Sequence, residues 1–565
     1  MAAKLFIYQV FPRLFGNTKN VNKENGTIDE NGVGKFSSFS DKALSEIKKM
    51  GFSHIWFMGV LEHASKTDYS AYGIRKDNPD VVKGNAGSPY AIRDYYDVAP
   101  DLADEVENRM EEFEELIART HKAGLKVIID FVPNHVARQY YSDAKPRRTR
   151  DLGADDDKTK YFSPDNNFYY IPNENLELQF DPHRPEGENP YTEFPAKATG
   201  NDRFDNKPEI NDWYETVKLN YGVDYLDGRK KYFTPVPDTW DKMREILLFW
   251  ASKGVDGFRC DMAELVPVEF WNWVTTRVKS KYKSIIFIAE VYNPDEYVNY
   301  TYTGKFDYLY DKVGLYDALR SITMGLRPAS DITFCWQKLG DLQPRMLNFM
   351  ENHDEQRIAS DFFAGDAFKA IPGMIVAVTM HVNPAMIYAG QELGERGMDK
   401  EGFSGVDGRT SIFDYWSVDS LRKWHNDGKF GNSQLSPEQT ALRKFYIDLL
   451  KLSNEEEAIT KGSFFDLMYA NYENPKFDPT KQYTFFRVYK KEVLLVVVNF
   501  DNKDVEVAIE IPEHATDYLK IEGKKFTSVK DLLSGKAQTL KNGLESTFTV
   551  KVGGCSGKIL KFSTN

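Results

Sequence analysis

The chain has 565 residues, 41% of them hydrophobic and 14% aromatic, which is enough to bury a sizeable core and longer than one minimal domain needs. A net charge of −12 and a pI near 5.5 argue against a polyanionic partner, whether nucleic acid or an anionic membrane. Cys260, Cys335 and Cys555 are odd in number and far apart, with neither a disulfide framework nor metal spacing, and no apolar run reaches membrane-spanning length.

In chain order, "KLFIYQVF" (4–11) reads as a first buried strand rather than a signal peptide, because Tyr8, Gln9, Pro12 and Arg13 interrupt it and no cleavage-like site follows. With unpaired thiols this points to the cytoplasm; a leader removed earlier would mean the periplasm or secretion. An Asn- and Gly-rich stretch (16–35) reads as a solvated, turn-rich loop. "SDKALSEIKKMG" (40–51) opens with a Ser-Asp cap signal and stops at glycine, as a helix does. "HIWFMGV" (54–60) is strand-like. Residues 104–124 have apolar residues at helical spacing, and "KVIIDFV" (126–132) is a strand. A second such helix spans 238–254. Strand-like runs follow at 254–261, 284–291, 346–354 and 385–392. Strands alternating with helices predict βαβ units and a parallel sheet.

Polar residues gather at the C-terminal ends of many of these strands: Asp130, Asn134 and His135 after one, then Asp261, Glu290, and His353 with Asp354. Convergence from many strand ends is what a closed barrel provides, and no G-x-G-x-x-G follows an early strand to suggest a dinucleotide fold. Residues 136–239, rich in Asp, Asn, Pro, Tyr and Arg, are too long for a bare loop and read as an inserted domain. From about 460 short strands divided by turns predict an all-β sandwich. The predicted architecture is thus α/β: a (β/α)8 TIM barrel over 1–135 and 240–459, an insertion over 136–239, and a C-terminal sandwich over 460–565.

Three carboxylates, Asp261, Glu290 and Asp354, are predicted to end three strands, where burial is costly unless they are paired. Glycoside hydrolysis gives a reason for such a set, since its cation-like transition state needs one carboxylate and one proton-donating carboxylic acid. Arg259 lies two residues before Asp261, so the two side chains share a strand face and the guanidinium can hold that carboxylate charged. Cys260 then faces away as a small buried residue. Glu290 follows the apolar "IIFIA", where desolvation can raise a carboxyl pKa as a proton donor requires.

"DFVPNH" (130–135), "GFRCD" (257–261), "IAEV" (288–291) and "ENHD" (351–354) stand in that order along the chain. Together they resemble the α-amylase family of glycoside hydrolases, family 13. "GSPYAIRDYYDVAP" (87–100), "VKLN" (217–220) and "NPAMIYAGQELGE" (383–395) agree, so the resemblance covers the whole chain, with the insertion as domain B and the sandwich as domain C. It implies Asp261 as nucleophile, Glu290 as general acid/base, and Asp354 as a third acid gripping the distorted sugar. Arg259 would orient Asp261, His135 and His353 would bond sugar hydroxyls, and Tyr90 would stack beneath the ring. The implied reaction is retaining cleavage of α-1,4-glucosidic bonds in starch- or glycogen-derived α-glucans or maltooligosaccharides. Asp130 reads as bonding neighbouring backbone and barrel side chains. Glu264 is read either as reaching substrate or as making a structural ion pair.

Departures from the family pattern also carry information. Leu265 stands where many relatives have a histidine whose backbone helps bind calcium. Asn134 matches a calcium-binding asparagine whose fellow ligands, in the variable domain B, are not assignable. Lys35 falls at an acidic ligand position of an early calcium loop. The resemblance implies no cofactor for the chemistry, with calcium as a structural ion at most. Gly87 replaces the aspartate by which the α-glucosidase branch fixes a terminal glucose, which weakens that exo-acting reading, while "DGRTSIFDYW" (407–416) partly resembles a glucosidase and transglycosidase segment. Transfer to a sugar acceptor and a catalytically inactive glucan-binding barrel complete the alternatives.

Overall fold

The structure, a computed structural model, describes residues 4–182, 184–521, 526–540 and 543–564. Eight parallel strands form one sheet: β1 (Phe6–Val10), β2 (His54–Phe57), β3 (Lys126–Phe131), β4 (Gly257–Cys260), β5 (Ile286–Ala289), β6 (Tyr308–Tyr310), β7 (Met346–Leu347) and β8 (Ala385–Tyr388). Their order is β7-β6-β5-β4-β3-β2-β1-β8. The two edges meet through Asn348, whose N–H donates to Pro384 O (3.0 Å) and whose carbonyl accepts from Met386 N–H (2.8 Å). The sheet is thereby a (β/α)8 barrel. Seven of these strands fall within the predicted runs; β6 was not predicted. The run 346–354 is only briefly a strand, so Asp354 stands on a loop past β7 rather than at a strand end.

Helices wrap the ring where the sequence pattern calls for them. Helix α1 (Asp41–Met50) begins at Ser40, whose side chain accepts from Ala43 N–H, and stops at Gly51 in the left-handed region (φ 109°). Helices α2 (Arg109–Lys122), α3 (Asp238–Ser252) and α4 (Val268–Lys281) follow β2, β3 and β4. Helices α5 (Ile371–Thr379) and α6 (Pro437–Glu455) follow β7 and β8. Trp56, Trp250, Trp271 and Trp424 are among the largest fully buried side chains. No helix among the described residues is long and apolar enough to cross a membrane.

The segment between β3 and α3 has structure of its own. Three short antiparallel ladders pair His135–Ala137 with Thr216–Lys218, Tyr170–Ile171 with Ala196–Lys197, and Val223–Asp224 with Lys230–Lys231. The C-terminal part comprises β9 (Ser463–Asp466), β10 (Gln482–Tyr489), β11 (Glu492–Asn499), β12 (Val505–Glu510), β13 (Phe526–Asp531), β14 (Ala537–Thr539), β15 (Thr547–Val552) and β16 (Ser556–Thr564). They form a six-stranded sheet, β9-β10-β11-β16-β13-β14, and a β12-β15 pair. Two short helices, Met468–Asn471 and Glu513–Tyr518, depart from the all-β expectation.

This β-rich part packs directly on the barrel. A Cβ at Gly557 would lie 2.8 Å from Ile375 Cδ1 of α5, so the bare glycine of β16 makes room for that helix side chain. Buried Arg487 of β10 donates to Ala458 O, Ile459 O and Met380 O, at 3.0, 2.9 and 2.9 Å, bridging the two parts. Replacing Arg487 with Leu strands these carbonyls; we expect a loss of about 3 kcal/mol or more, read in urea unfolding and in thermal inactivation half-life.

Candidate active site

At the C-terminal mouth of the barrel the side chains are arranged around Arg259, which is 1% exposed. On β4 it sits opposite Asp130 of β3 in the strand register. Its Nη1 donates to Asp261 Oδ1 (2.7 Å) and its Nε to Tyr310 Oη (3.1 Å), while Nη2 lies 2.7 Å from Glu290 Oε1. The rings of Trp56, Tyr90 and Tyr310 stand 5.2–5.5 Å from the guanidinium carbon. The sheet ladder fixes both acids at one level, since Asp261 N–H donates to Phe131 O and Glu290 N–H to Cys260 O. Arg259 and Asp261 meet as strand alternation predicts, but the guanidinium serves Glu290 as well.

Glu290 is held from its far side too. Tyr292 O–H donates to Oε1 (2.7 Å) and Met262 N–H to Oε2 (2.8 Å). Met262 adopts a left-handed backbone (φ 44°, ψ 41°), a conformation costing roughly 1–2 kcal/mol for a residue with a Cβ, and it aims that amide at the carboxylate. Burial pushes the Asp261 carboxyl up from its ordinary range, Arg259 opposes that, and Glu290, Asp130 and Asp354 push the same way as burial. The expectation of an aspartate kept anionic by its arginine alone therefore has to include this crowding of acids. Asp130 accepts from Gly59 N–H (3.0 Å), and burial raises it to about 6 against the pull of Arg259.

Asp354 is 41% exposed in its side chain. His353 beside it has both ring nitrogens engaged, Nδ1 with Gln9 Nε2 (2.8 Å) and Nε2 with Tyr90 Oη (2.6 Å), and Asp354 Oδ2 lies 3.2 Å from Nε2. His353 thereby holds Tyr90. Burial, then Arg259, depresses it well below the usual imidazole value. His135 lies 5.2 Å from the Trp213 ring, and burial, then Lys218 and Lys83, brings it down to about 3. Both histidines are neutral hydrogen-bonding groups at neutral pH.

These residues border a cleft of about 430 Å³, lined by Tyr90, His135, Asp261, Glu290 and Asp354 together with Trp213, Tyr292 and Phe413. Of the seven residues singled out in the sequence, five line this cleft. Arg259 stands behind the wall, and His353 borders an adjoining cavity of about 260 Å³. Tyr292, Tyr310, Trp56 and Met262 were missed. The alternation that ties Arg259 to Asp261 also ties Glu290 to Tyr292, so that signal was present. Glu264 makes no ion pair among the described residues and does not line this cleft; its carboxylate accepts from the backbone N–H groups of Tyr292 (3.1 Å) and Asn293 (3.0 Å).

Two lysines occupy the places where the resemblance suggests cations. Lys218, 2% exposed, donates to Asn134 Oδ1 and lies 2.5 Å from Asp202 Oδ1. Asn134 Nδ2 donates to Gly200 O (2.8 Å). Lys35 Nζ donates to Asp101 O and Ala103 O, both 2.8 Å. Oxygen atoms already held by an ammonium do not fit a divalent ion. The loop 16–35 is exposed over residues 18–25, as a solvated loop is, and is tethered by Asn17, which donates to Asn31 O (2.9 Å) and Trp416 O (2.8 Å).

The sequence pattern of the α-amylase catalytic domain matches residues 9–445. The chain belongs to the α-amylase family. It is 24% identical over 519 residues to α-amylase MalA of Haloarcula japonica, covering 90% of this chain and 57% of that longer protein. It is 22% identical over 478 residues to α-amylase 3 of Dictyoglomus thermophilum, covering 80% and 78%. The crystal structure of a maltogenic α-amylase, AmyB of Thermotoga neapolitana, superposes with a TM-score of 0.62 at 20% identity over 99% of both chains. As an α-amylase-family member the chain is an O-glycosyl hydrolase.

Lys218 ties this family's inserted segment to the barrel. Replacing it with Met leaves Asp202 and Asn134 without their cation. We expect a loss of about 3 kcal/mol, the low end for a buried pair because Asp202 is partly exposed, measured by chemical unfolding.

Proposed function

We propose that this enzyme cleaves α-1,4-glucosidic bonds of starch- or glycogen-derived glucans and maltooligosaccharides with retention of configuration. The observation that carries the reading is the single Arg259 guanidinium gripping Asp261 and Glu290 at once, with Asp354 on the wall of the same cleft. Asp261 is the nucleophile. Its carboxylate attacks the anomeric carbon as protonated Glu290 gives its proton to the departing glycosidic oxygen. Glu290, now a carboxylate, takes a proton from water, which attacks the same carbon and displaces Asp261. Retaining chemistry requires the two carboxyl groups to be roughly 5–5.5 Å apart.

Asp130, Asp261 and Glu290 pack against one cation, with Asp354 close enough to feel it, which brings the acids that bond cleavage needs to one place. Asp354 and His135 face the cleft as partners for sugar hydroxyls, and Tyr90, braced by His353, offers its ring. The Lys218 and Lys35 ammoniums support a protein that needs no calcium ion at these two places. Three free cysteines support a reducing compartment, the cytoplasm.

Asp261→Asn should lower reducing-sugar release from maltoheptaose by about a thousandfold or more in a protein that circular dichroism shows to be folded. The first product of the wild type should be the α-anomer by NMR. A β-anomer, or an active Asp261→Asn protein, would reject the assignment. Arg259→Met removes the cation that opposes carboxyl protonation. Carboxyl pKa values then rise, and Asp261 is ionised only at higher pH. The acid limb of the kcat/KM profile should therefore move up by about one unit or more, alongside a fall in rate.

A further inference from the structure

Gln9 is an amide in the otherwise apolar and aromatic strand β1, and it is 0% exposed. It sits in register with Trp56 of β2 and Tyr388 of β8. A buried amide costs stability unless both of its ends find partners. Here one end does. Nε2 lies 2.8 Å from His353 Nδ1 and 3.5 Å from Met58 Sδ, while Oε1 has no hydrogen-bond partner among the described residues. An apolar side chain of the same size would fill this place at lower cost. Packing therefore does not account for the amide, and its contact with His353 does.

That contact decides where the proton of His353 sits. A neutral imidazole carries one proton, and the partner of each ring nitrogen selects which nitrogen holds it. A thioether sulfur accepts and does not donate, so the amide end between Met58 and His353 is the N–H end. It donates to Nδ1, which is then bare. The ring proton is left on Nε2, 2.6 Å from Tyr90 Oη and 3.2 Å from Asp354 Oδ2. An ionised Asp354 only accepts, which agrees. Arg259 and Glu290 are the further charges that the ring feels.

We infer that Gln9 is a positioning residue of the reaction, holding His353 as the tautomer whose Nε2–H donates to Asp354, to Tyr90 or to a bound sugar hydroxyl. The effect on rate rests on the proposed chemistry; the tautomer is measured without substrate. Nitrogen-15 NMR of histidine-labelled protein, with His353 assigned by signal loss in His353→Asn, should show bare Nδ1 and protonated Nε2 from neutral pH upward. In Gln9→Glu the new carboxyl and the ring share an extra proton at low pH, and Nε2–H persists. Once that proton leaves, the carboxylate only accepts, so Nδ1 takes the ring proton and Nε2 becomes bare. The variant's kcat/KM for maltoheptaose, relative to the wild type, should fall about tenfold or more as pH rises, in step with the loss of Nε2–H. A purely structural Gln9 would give a ratio independent of pH. Gln9→Met keeps the volume and removes the donor. It should lose about tenfold or more in kcat/KM while folded by circular dichroism, and it serves if Gln9→Glu does not fold. Protonated Nδ1 in the wild type, a fully active Gln9→Met protein, or a ratio independent of pH would overturn the inference. A wild type with bare Nδ1 that cleaves no glucan would overturn the proposed function and leave the tautomer standing.

Discussion

One buried cation organises the mouth of this barrel. Arg259 is removed from water, and such a charge is stable only where opposite charge and hydrogen-bond acceptors close around it. Asp261, Glu290, Asp130 and the Tyr310 hydroxyl supply that shell. Each acid is in turn tethered to a different strand or loop, so satisfying the guanidinium also fixes the relative positions of the acids. The aromatic rings around it exclude water and strengthen every one of these contacts. The most expensive group to bury is thus the one that sets the relative placement of the acids.

The inserted segment repeats the device on a smaller scale. Lys218 reaches from the His135–Lys218 ladder to Asn134 and Asp202 and lies beneath His135, depressing its pKa. A covalently attached ammonium does there what a bound ion would do, with no dissociation equilibrium of its own. Burial is the larger cause of the lowered His135 pKa, and Lys218 adds to it while also pairing with Asp202.

Much of this was legible in the chain because the relevant signals are local. Alternation along β4 put Arg259 and Asp261 on one face, and apolar runs ending in acids marked the barrel mouth. Signals that fail are those shorter than a pattern or those spanning the fold. Strand β6 has three residues, Tyr308–Tyr310, too few to show a period. Asp354 was placed at a strand end because its apolar run continues past residue 347, where the backbone leaves the ladder. The partnership of Lys218 with Asp202, and of Glu264 with the amides after Glu290, depends on loops whose course no periodicity records. Tyr292 was missed although the alternation rule reaches it, because a tyrosine at that spacing carries no charge to draw attention.

The closure of the ring has a consequence for the site. Strand β7 is two residues long, and its junction with β8 rests on the backbone bonds of Asn348. Asp261 and Glu290 rise from neighbouring ladders of four paired residues, while Asp354 hangs from the thinnest seam of the barrel. Any local opening at that seam would reach Asp354 before the four-residue ladders beside Asp261 and Glu290. The mouth is therefore unevenly anchored: Asp261 and Glu290 stand beside the longer ladders, and Asp354 beyond the shortest junction.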